Sequence, residues 1–257
     1  MFDVDRYLSV LGHPGPAEPT WDTLRRLHRR HLITIPYDSA LNATRGTALW
    51  ADVDVDVDAA FDSVVTGGRG GVCTELNGLF RTLLTRLGFD TGVLAAGIRQ
   101  LDGSFGPDLE HLFGYVRLDG ELLLTDVGFV GPSYVEPLRI TEQVQHQYGN
   151  DFRVVERDGY HVVQRRGRAG DWQAVYRFHP RPRDFAEWRG PGLGLEEFAR
   201  RLASAGTLVR GRAFERGQKI LIGRRLLTVE DGHDTIRGLV TQSDYDAALA
   251  DILGRPA

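Results

Sequence analysis

Apolar and polar positions divide the chain into three stretches of different period. Near the N-terminus the apolar residues recur at helical spacing: Trp21, Leu24, Leu27 and Leu32 form one stripe, with Thr20 placed as its N-cap. Helical signals return around residues 58–65. The clearest stripe is Leu76, Leu79, Phe80, Leu83, Leu84 and Leu87, which Gly88 ends. The glycine-rich turn Gly67-Gly68-Arg69-Gly70-Gly71 lies just before it. The middle of the chain changes to strand-like patterning. Strands are predicted over 91–98, 111–118, 121–129, 160–166 and 172–178, and Asp119-Gly120 is a two-residue hairpin signal. Pro and Gly accumulate over 180–194, as in a linker. A helix over 195–205, two strands within 219–229 and a terminal helix over about 243–253 complete the pattern.

Composition narrows the class. At 257 residues the chain exceeds the usual single-domain size, so one large or two to three small domains are expected. With 42% hydrophobic and 26% charged residues it reads as a folded globular protein. The formal charge of -4 and the lack of a basic block argue against a nucleic-acid partner. The first residues are acidic and no apolar run reaches 18, so neither a leader peptide nor a membrane span is expected. One cysteine excludes an internal disulfide framework, which fits a cytoplasmic enzyme.

The single thiol is where chemistry is expected. A lone cysteine is most often a small buried hydrophobe. Cys73, however, follows a Gly-Gly turn that allows close backbone approach to a ligand, and it opens a helix. There the dipole and free N–H groups favour a thiolate and can hold an oxyanion. Arg69 adds positive charge four residues upstream. A thiolate nucleophile needs a base, and the base needs an orienting group. If Asp119-Gly120 is a two-residue turn, paired positions of the hairpin sum to 239, and Asp126 faces Phe113. His111 then lies on the same side of the sheet as Asp126, as a diagonal neighbour about 7–8 Å away at Cα.

Other signals carry less. Asp52, Asp54, Asp56 and Asp58 alternate with valines, but the calcium-loop glycine and glutamate are replaced by Val57 and Ser63, leaving an edge strand or a solvated lead-in to a helix. His28 and His31, among Arg25, Arg26, Arg29 and Arg30, read as part of a solvated helix face. No histidine or cysteine spacing suggests a metal, and the glycine loop lacks the Lys-Ser/Thr of a phosphate loop.

The run Arg69-Gly70-Gly71-Val72-Cys73, continuing through Glu75, Asn77, Gly78, Leu79 and Phe80, resembles the nucleophile signature of the arylamine N-acetyltransferases. His111 with Asp126-Val127-Gly128-Phe129 resembles their second motif, and Leu32 to Asp38 resembles their early H-L-x-x-I-P-F-E stretch, with Asp38 in place of glutamate. The resemblance runs from about residue 5 to Glu136. It implies an α+β fold with a cysteine-protease-like core: a helical bundle over 1–88, a β-barrel over 89–185 and an α/β lid over 186–257. It also implies a Cys73–His111–Asp126 triad supported by Arg69, Asp38, Gly71 and Asn77, with Arg69 paired to Asp38. Phe129, Val130 and Tyr37 would meet substrate, no cofactor would stay bound, and a thioester on coenzyme A or on an acyl carrier protein would be co-substrate to an aromatic amine.

Two departures from that pattern bear on the acyl donor, and the second of them, with the Ile35-Pro36-Tyr37-Asp38 variant, points to one branch. Val130 stands where the family commonly has a glycine near the acyl donor, and Glu187-Trp188-Arg189-Gly190-Pro191 occupies the place of a stretch associated with coenzyme A. The amide synthases of ansamycin-type polyketide pathways, which release a polyketide from its carrier protein as a macrolactam, resemble the chain in this respect. An acetyl-CoA-dependent arylamine N-acetyltransferase, a thiol hydrolase or transglutaminase-like enzyme, and a non-catalytic binding module are the alternatives.

Overall fold

The computed structural model describes residues 1–13, 15–46, 48–190 and 194–254. Its helices are α1 (Val4–Val10), α2 (Trp21–Thr34), α3 (Ala40–Arg45), α4 (Val57–Ala60), α5 (Cys73–Arg86), α6 (Leu195–Ala205) and α7 (Gln242–Leu253). Each of the longer N-terminal helices starts where the sequence provides for it. Thr20 Oγ1 accepts the Thr23 N–H at the head of α2, and Glu75 Oε2 accepts the Val72 N–H at the head of α5. Asp56 caps α4, which continues into a π-helical stretch, Phe61–Thr66, so the alternating aspartates lead into a helix rather than an edge strand. The apolar stripes of α2 and α5 close on one core with Tyr7, Phe61, Val116 and Leu123. Each leucine fully buried there contributes roughly 1.5–3 kcal/mol.

The middle of the chain forms an eight-stranded antiparallel sheet. Its strands are β2 (Asp90–Ile98), β3 (His111–Leu118), β4 (Glu121–Thr125), β5 (Leu138–Arg139), β6 (Gln145–Gln147), β7 (Asn150–Arg157), β8 (Tyr160–Arg166) and β9 (Gln173–Phe178). Their spatial order is β5-β4-β3-β2-β9-β8-β7-β6. The sheet curls almost into a barrel: Val154 of β7 donates its N–H to the Thr141 carbonyl just beyond β5, at 2.8 Å. Leu94, Phe113, Leu124, Phe152, Val163 and Tyr176 fill the interior. Asp119 and Gly120 adopt φ of 51° and 81°, the positive pair that a type I′ hairpin requires, and the predicted register holds from Leu118↔Glu121 to Gly114↔Thr125. Strand β4 stops at Thr125, four residues short of the predicted Phe129, because the next amide is drawn out of the ladder by a side chain of α2.

A second sheet has the order β1-β10-β11-β12-β13, built from β1 (Tyr37–Asp38), β10 (Val209–Phe214), β11 (Gly217–Ile222), β12 (Arg225–Glu230) and β13 (His233–Gly238). Leu221, Leu226, Leu239, Ala248 and Ile252 bind α7 to it. Its edge strand β1 comes from the N-terminal third, pairing Tyr37 with Gly211 and Asp38 with Arg210. On its other side Tyr37 bridges to Gly71, with Asp38 N–H donated to the Gly71 carbonyl at 3.0 Å. The early Pro36-Tyr37-Asp38 segment thus ties the turn before Cys73 to the C-terminal sheet. The 180–194 stretch is packed rather than a free linker, as far as it is described. Trp188 is buried and donates Nε1–H to the Leu109 carbonyl, and Arg183 N–H bonds to Val93. Pro191 lies outside the described residues, and among those described no helix is long and apolar enough to cross a membrane.

Candidate active site

Cys73 is the first residue of α5 and is partly exposed, in a cavity of about 150 Å³ that it shares with Tyr37, Trp50, His111, Phe129 and Phe198. The helix start is pressed against the loop after β4. A Cβ on Gly128 would stand 2.8 Å from the Cys73 Cα and 3.0 Å from its carbonyl oxygen, so only glycine lets the two segments approach this closely. Asn77, one turn along α5, fastens both. Its Nδ2 donates to the Leu112 carbonyl at 2.8 Å and to Asp126 Oδ1 at 3.1 Å, while its Oδ1 accepts the Val127 N–H at 2.9 Å.

His111 and Asp126 are buried and joined by a 2.7 Å bond from Nε2 to Oδ2, which leaves Nδ1 of the ring for the Cys73 thiol. The ring lies parallel to Phe113 with centroids 6.0 Å apart, and Phe129 meets it edge-on at 5.5 Å. Burial alone would lower the proton affinity of His111. The charge and hydrogen bond of Asp126, with those of Cys73, outweigh it and push the pKa up to about 10. Asp126 is held as closely as the ring it orients. Besides His111 and Asn77 it accepts the Gly128 N–H at 3.1 Å and bonds to the Tyr176 hydroxyl, itself 2.7 Å from Tyr134 Oη.

The remaining expected residues divide. Tyr37, Phe129 and Val130 line the cavity, and Gly71 sits in the turn bonded to Pro36. The expected Arg69–Asp38 pair does not form. Arg69 Nη2 reaches Glu75 Oε1 at 2.6 Å, one turn into α5, whereas Asp38 Oδ1 accepts from Arg210 Nε at 3.1 Å on the neighbouring strand. Proximity decides this, because β1 pairs Asp38 with Arg210 directly. The expectation that His28 and His31 face solvent is also overturned: both are wholly buried.

Sequence reasoning missed three contributors. Trp50 and Phe198 close the cavity with ring centroids 6.3 Å apart, from segments distant in sequence that nothing in the pattern links. Glu110 lines the same cavity, and burial pushes its carboxyl up to about 7, against the bond it accepts from Ile98 N–H. Its position directly before His111 was the available signal. Val130 lines both this cavity and a smaller one of about 20 Å³ behind it, shared with Gly211, Arg212 and Lys219. A Cβ on Gly211 would be 3.1 Å from the Val130 Cγ2, so valine fills the space that glycine leaves.

A cysteine at a helix start, a histidine and a carboxylate in this order and geometry suit acyl transfer through a thioester. The chain matches the N-acetyltransferase family over residues 20–254. It is 39% identical to the proansamycin X synthase of Amycolatopsis mediterranei (strain S699), covering 98% of this chain and 97% of that one. It is 29% identical to the arylamine N-acetyltransferase of Escherichia coli (strain K12) over 68% of this chain and 60% of that one. Among solved structures, the arylamine N-acetyltransferase of M. tuberculosis superposes with a TM-score of 0.82 and 26% identity over 99% of this chain and 93% of that one. That of Mycobacterium marinum in complex with CoA gives 0.78 and 25%, over 98% and 93%. Sequence along the whole chain and fold agree, so the chain belongs to the arylamine N-acetyltransferase family and is an N-acyltransferase.

Proposed function

We propose that this enzyme is an amide synthase that joins a polyketide-type acyl thioester to an aromatic amine through an acyl-enzyme on Cys73. The Cys73 thiolate attacks the thioester carbonyl, the C–S bond to the donor breaks, and the departing thiol takes its proton from the His111 imidazolium. Backbone N–H groups in the first turn of α5 would hold the oxyanion. The neutral amine then attacks the acyl-enzyme, its proton passes to His111, and Cys73 leaves as thiolate with the amide formed. An aromatic amine suits this step because it is largely unprotonated near neutral pH. Asp126 keeps Nε2 of His111 protonated so that Nδ1 faces the thiol. Tyr37, Phe129 and Val130 would meet substrate, with Asn77 and Gly71 supporting the triad.

The observation that carries the branch is the likeness to proansamycin X synthase along nearly the full length of both chains. The site is consistent with it. Trp188 and Glu187, in the stretch expected for coenzyme A contacts, are engaged with Leu109 and with Arg181 and Arg183. Val130 closes the gap against Gly211. The donor would accordingly be a pantetheine arm on an acyl carrier protein, with no cofactor retained. The test gives purified enzyme one arylamine and, separately, acetyl-CoA and a long acyl thioester of N-acetylcysteamine. A higher kcat/KM for the long thioester, and ring-closed amide from an amine-terminated one, are expected. Equal or better use of acetyl-CoA would leave arylamine N-acetyl transfer as the activity, and hydrolysis without transfer would point to a thiol hydrolase.

A further inference from the structure

The inner face of α2 carries Leu24, Leu27, His28, His31 and Leu32, and the His28 ring is wholly enclosed. Its two nitrogens meet two backbone groups nine residues apart. Nδ1 lies 2.9 Å from the Val135 carbonyl oxygen, and Nε2 lies 2.9 Å from the Asp126 amide nitrogen. A carbonyl can only accept and an amide N–H can only donate, so Nδ1 carries the proton and Nε2 is bare. Only one neutral tautomer satisfies both partners. The ring is stacked on Tyr134 at 5.9 Å and 15°, with Phe80 against it edge-on.

We propose that His28 is a positioning residue for the active site, clamping both ends of the 126–135 loop and thereby fixing Asp126 against His111. The loop it spans contains Asp126 itself, Gly128, which lies against Cys73, and the cavity-lining Phe129 and Val130. The carboxylate of Asp126 is bound on its own side by His111, Asn77 and Gly128, but its backbone is anchored by His28 alone among the hydrogen bonds of the described residues. An added proton on Nε2 would set one N–H against another and release that anchor. Burial disfavours this, lowering the His28 pKa to about 4, opposed by its bond to Val135 and by the charges of Asp126 and Glu136. His31, one turn further on, faces Tyr7 rather than the loop.

This inference rests on the triad reading, and the experiment separates the two. His28→Gln keeps a donor and an acceptor that cannot titrate, whereas His28→Phe keeps a flat ring and loses both bonds. Each is compared with wild type and with Asp126→Asn for kcat, KM and the pH dependence of acyl-enzyme formation at Cys73, with folding checked by thermal melting. His28→Phe is expected to lower kcat by roughly 10- to 100-fold with KM changed less than about threefold, as for loss of an orienting contact rather than of binding. His28→Gln is expected to recover kcat to within about fivefold, with a shallower acid limb than wild type below about pH 5. A folded His28→Phe with wild-type kcat would overturn the proposal. If that variant does not fold, an acid limb in His28→Gln identical to wild type would overturn it. Full activity in Asp126→Asn would instead sink the triad itself.

Discussion

His28 and His111 flank the same residue from opposite sides, both enclosed, and their proton affinities move in opposite directions. Loss of water disfavours an imidazolium in either place. On the β3 side the Asp126 carboxylate and the Cys73 thiol offset that cost and carry His111 up to about 10. On the α2 side burial prevails and His28 falls to about 4, because Asp126 presents its N–H there and its charge acts only from a distance. Burial therefore sets the state of His28, while at His111, equally enclosed, the carboxylate of the same aspartate overrides it. What decides the state is which end of Asp126 each ring meets, not the depth of burial.

The comparison breaks most sharply at Asp126. With asparagine there, His111 loses the charge that holds its proton, and burial, opposed only by Cys73, should carry its pKa well down from about 10. The amide can also select the wrong tautomer. Activity should fall by on the order of 10⁴-fold, the scale seen when a triad carboxylate becomes an amide. His28 should fall only a little further, since it loses the distant Asp126 charge but keeps its bond to the backbone N–H. NMR titration of the two rings alongside kcat/KM checks both halves. Activity within severalfold of wild type would remove Asp126 from the orienting role.

A smaller and slower-growing effect is expected in stability against pH. For His28 the unfolded chain binds a proton more readily than the folded one. Its contribution is present above pH 6.5 and is lost as pH falls from there toward about 4. His31, lowered to about 3 by burial and then by the charge of His28, adds to the same acid loss. His111 is the opposite case: its contribution is present below pH 6.5 and lost as pH rises through about 10. Melting temperature should thus decline on both sides of neutrality. The acid decline should shrink in His28→Gln, and the alkaline decline in Asp126→Asn. Identical profiles for all three proteins would mean that neither ring is linked to folding in this way.

The contrast between the two histidines also marks what the sequence made legible. His111 could be found because an Asp-Gly turn fixes a register, and a register fixes which residues share a face. Cys73 could be found because a glycine turn and a helix stripe meet at it. His28 was equally on a pattern, four residues after Leu24 and one after Leu27, but four arginines around it argued for solvent. The helix period puts Arg26 and Arg30 on the far side of the helix and leaves Arg25 and Arg29 at the margins of the buried stripe, so their charge says little about the His28 position. The short strands β1, β5 and β6 carry too few residues to show a period and exist only through their partners. The Asp38–Arg210 pair was out of reach for the same reason, since it depends on a strand more than 170 residues away.

The smallest expected effect separates the loop's chemistry from its anchors. Val130 lies within the 126–135 loop, between the Cys73 cavity, whose wall it shares with His111, and the smaller one lined by Gly211 and Lys219. Val130→Gly removes the side chain that fills the space beside Gly211. It should join the two cavities. The added backbone freedom and lost packing should cost about 1–2 kcal/mol, read as a modest fall in melting temperature. The titrations of His28 and His111 should stay where they are, because neither ring touches Val130 among the contacts described. What should move is donor choice: kcat/KM for acetyl-CoA relative to a long N-acetylcysteamine thioester should rise severalfold, on the scale of 1 kcal/mol. A ratio unchanged within about twofold would show that Val130 does not form the donor wall, while a shift in either histidine would show that wall and clamp are one unit.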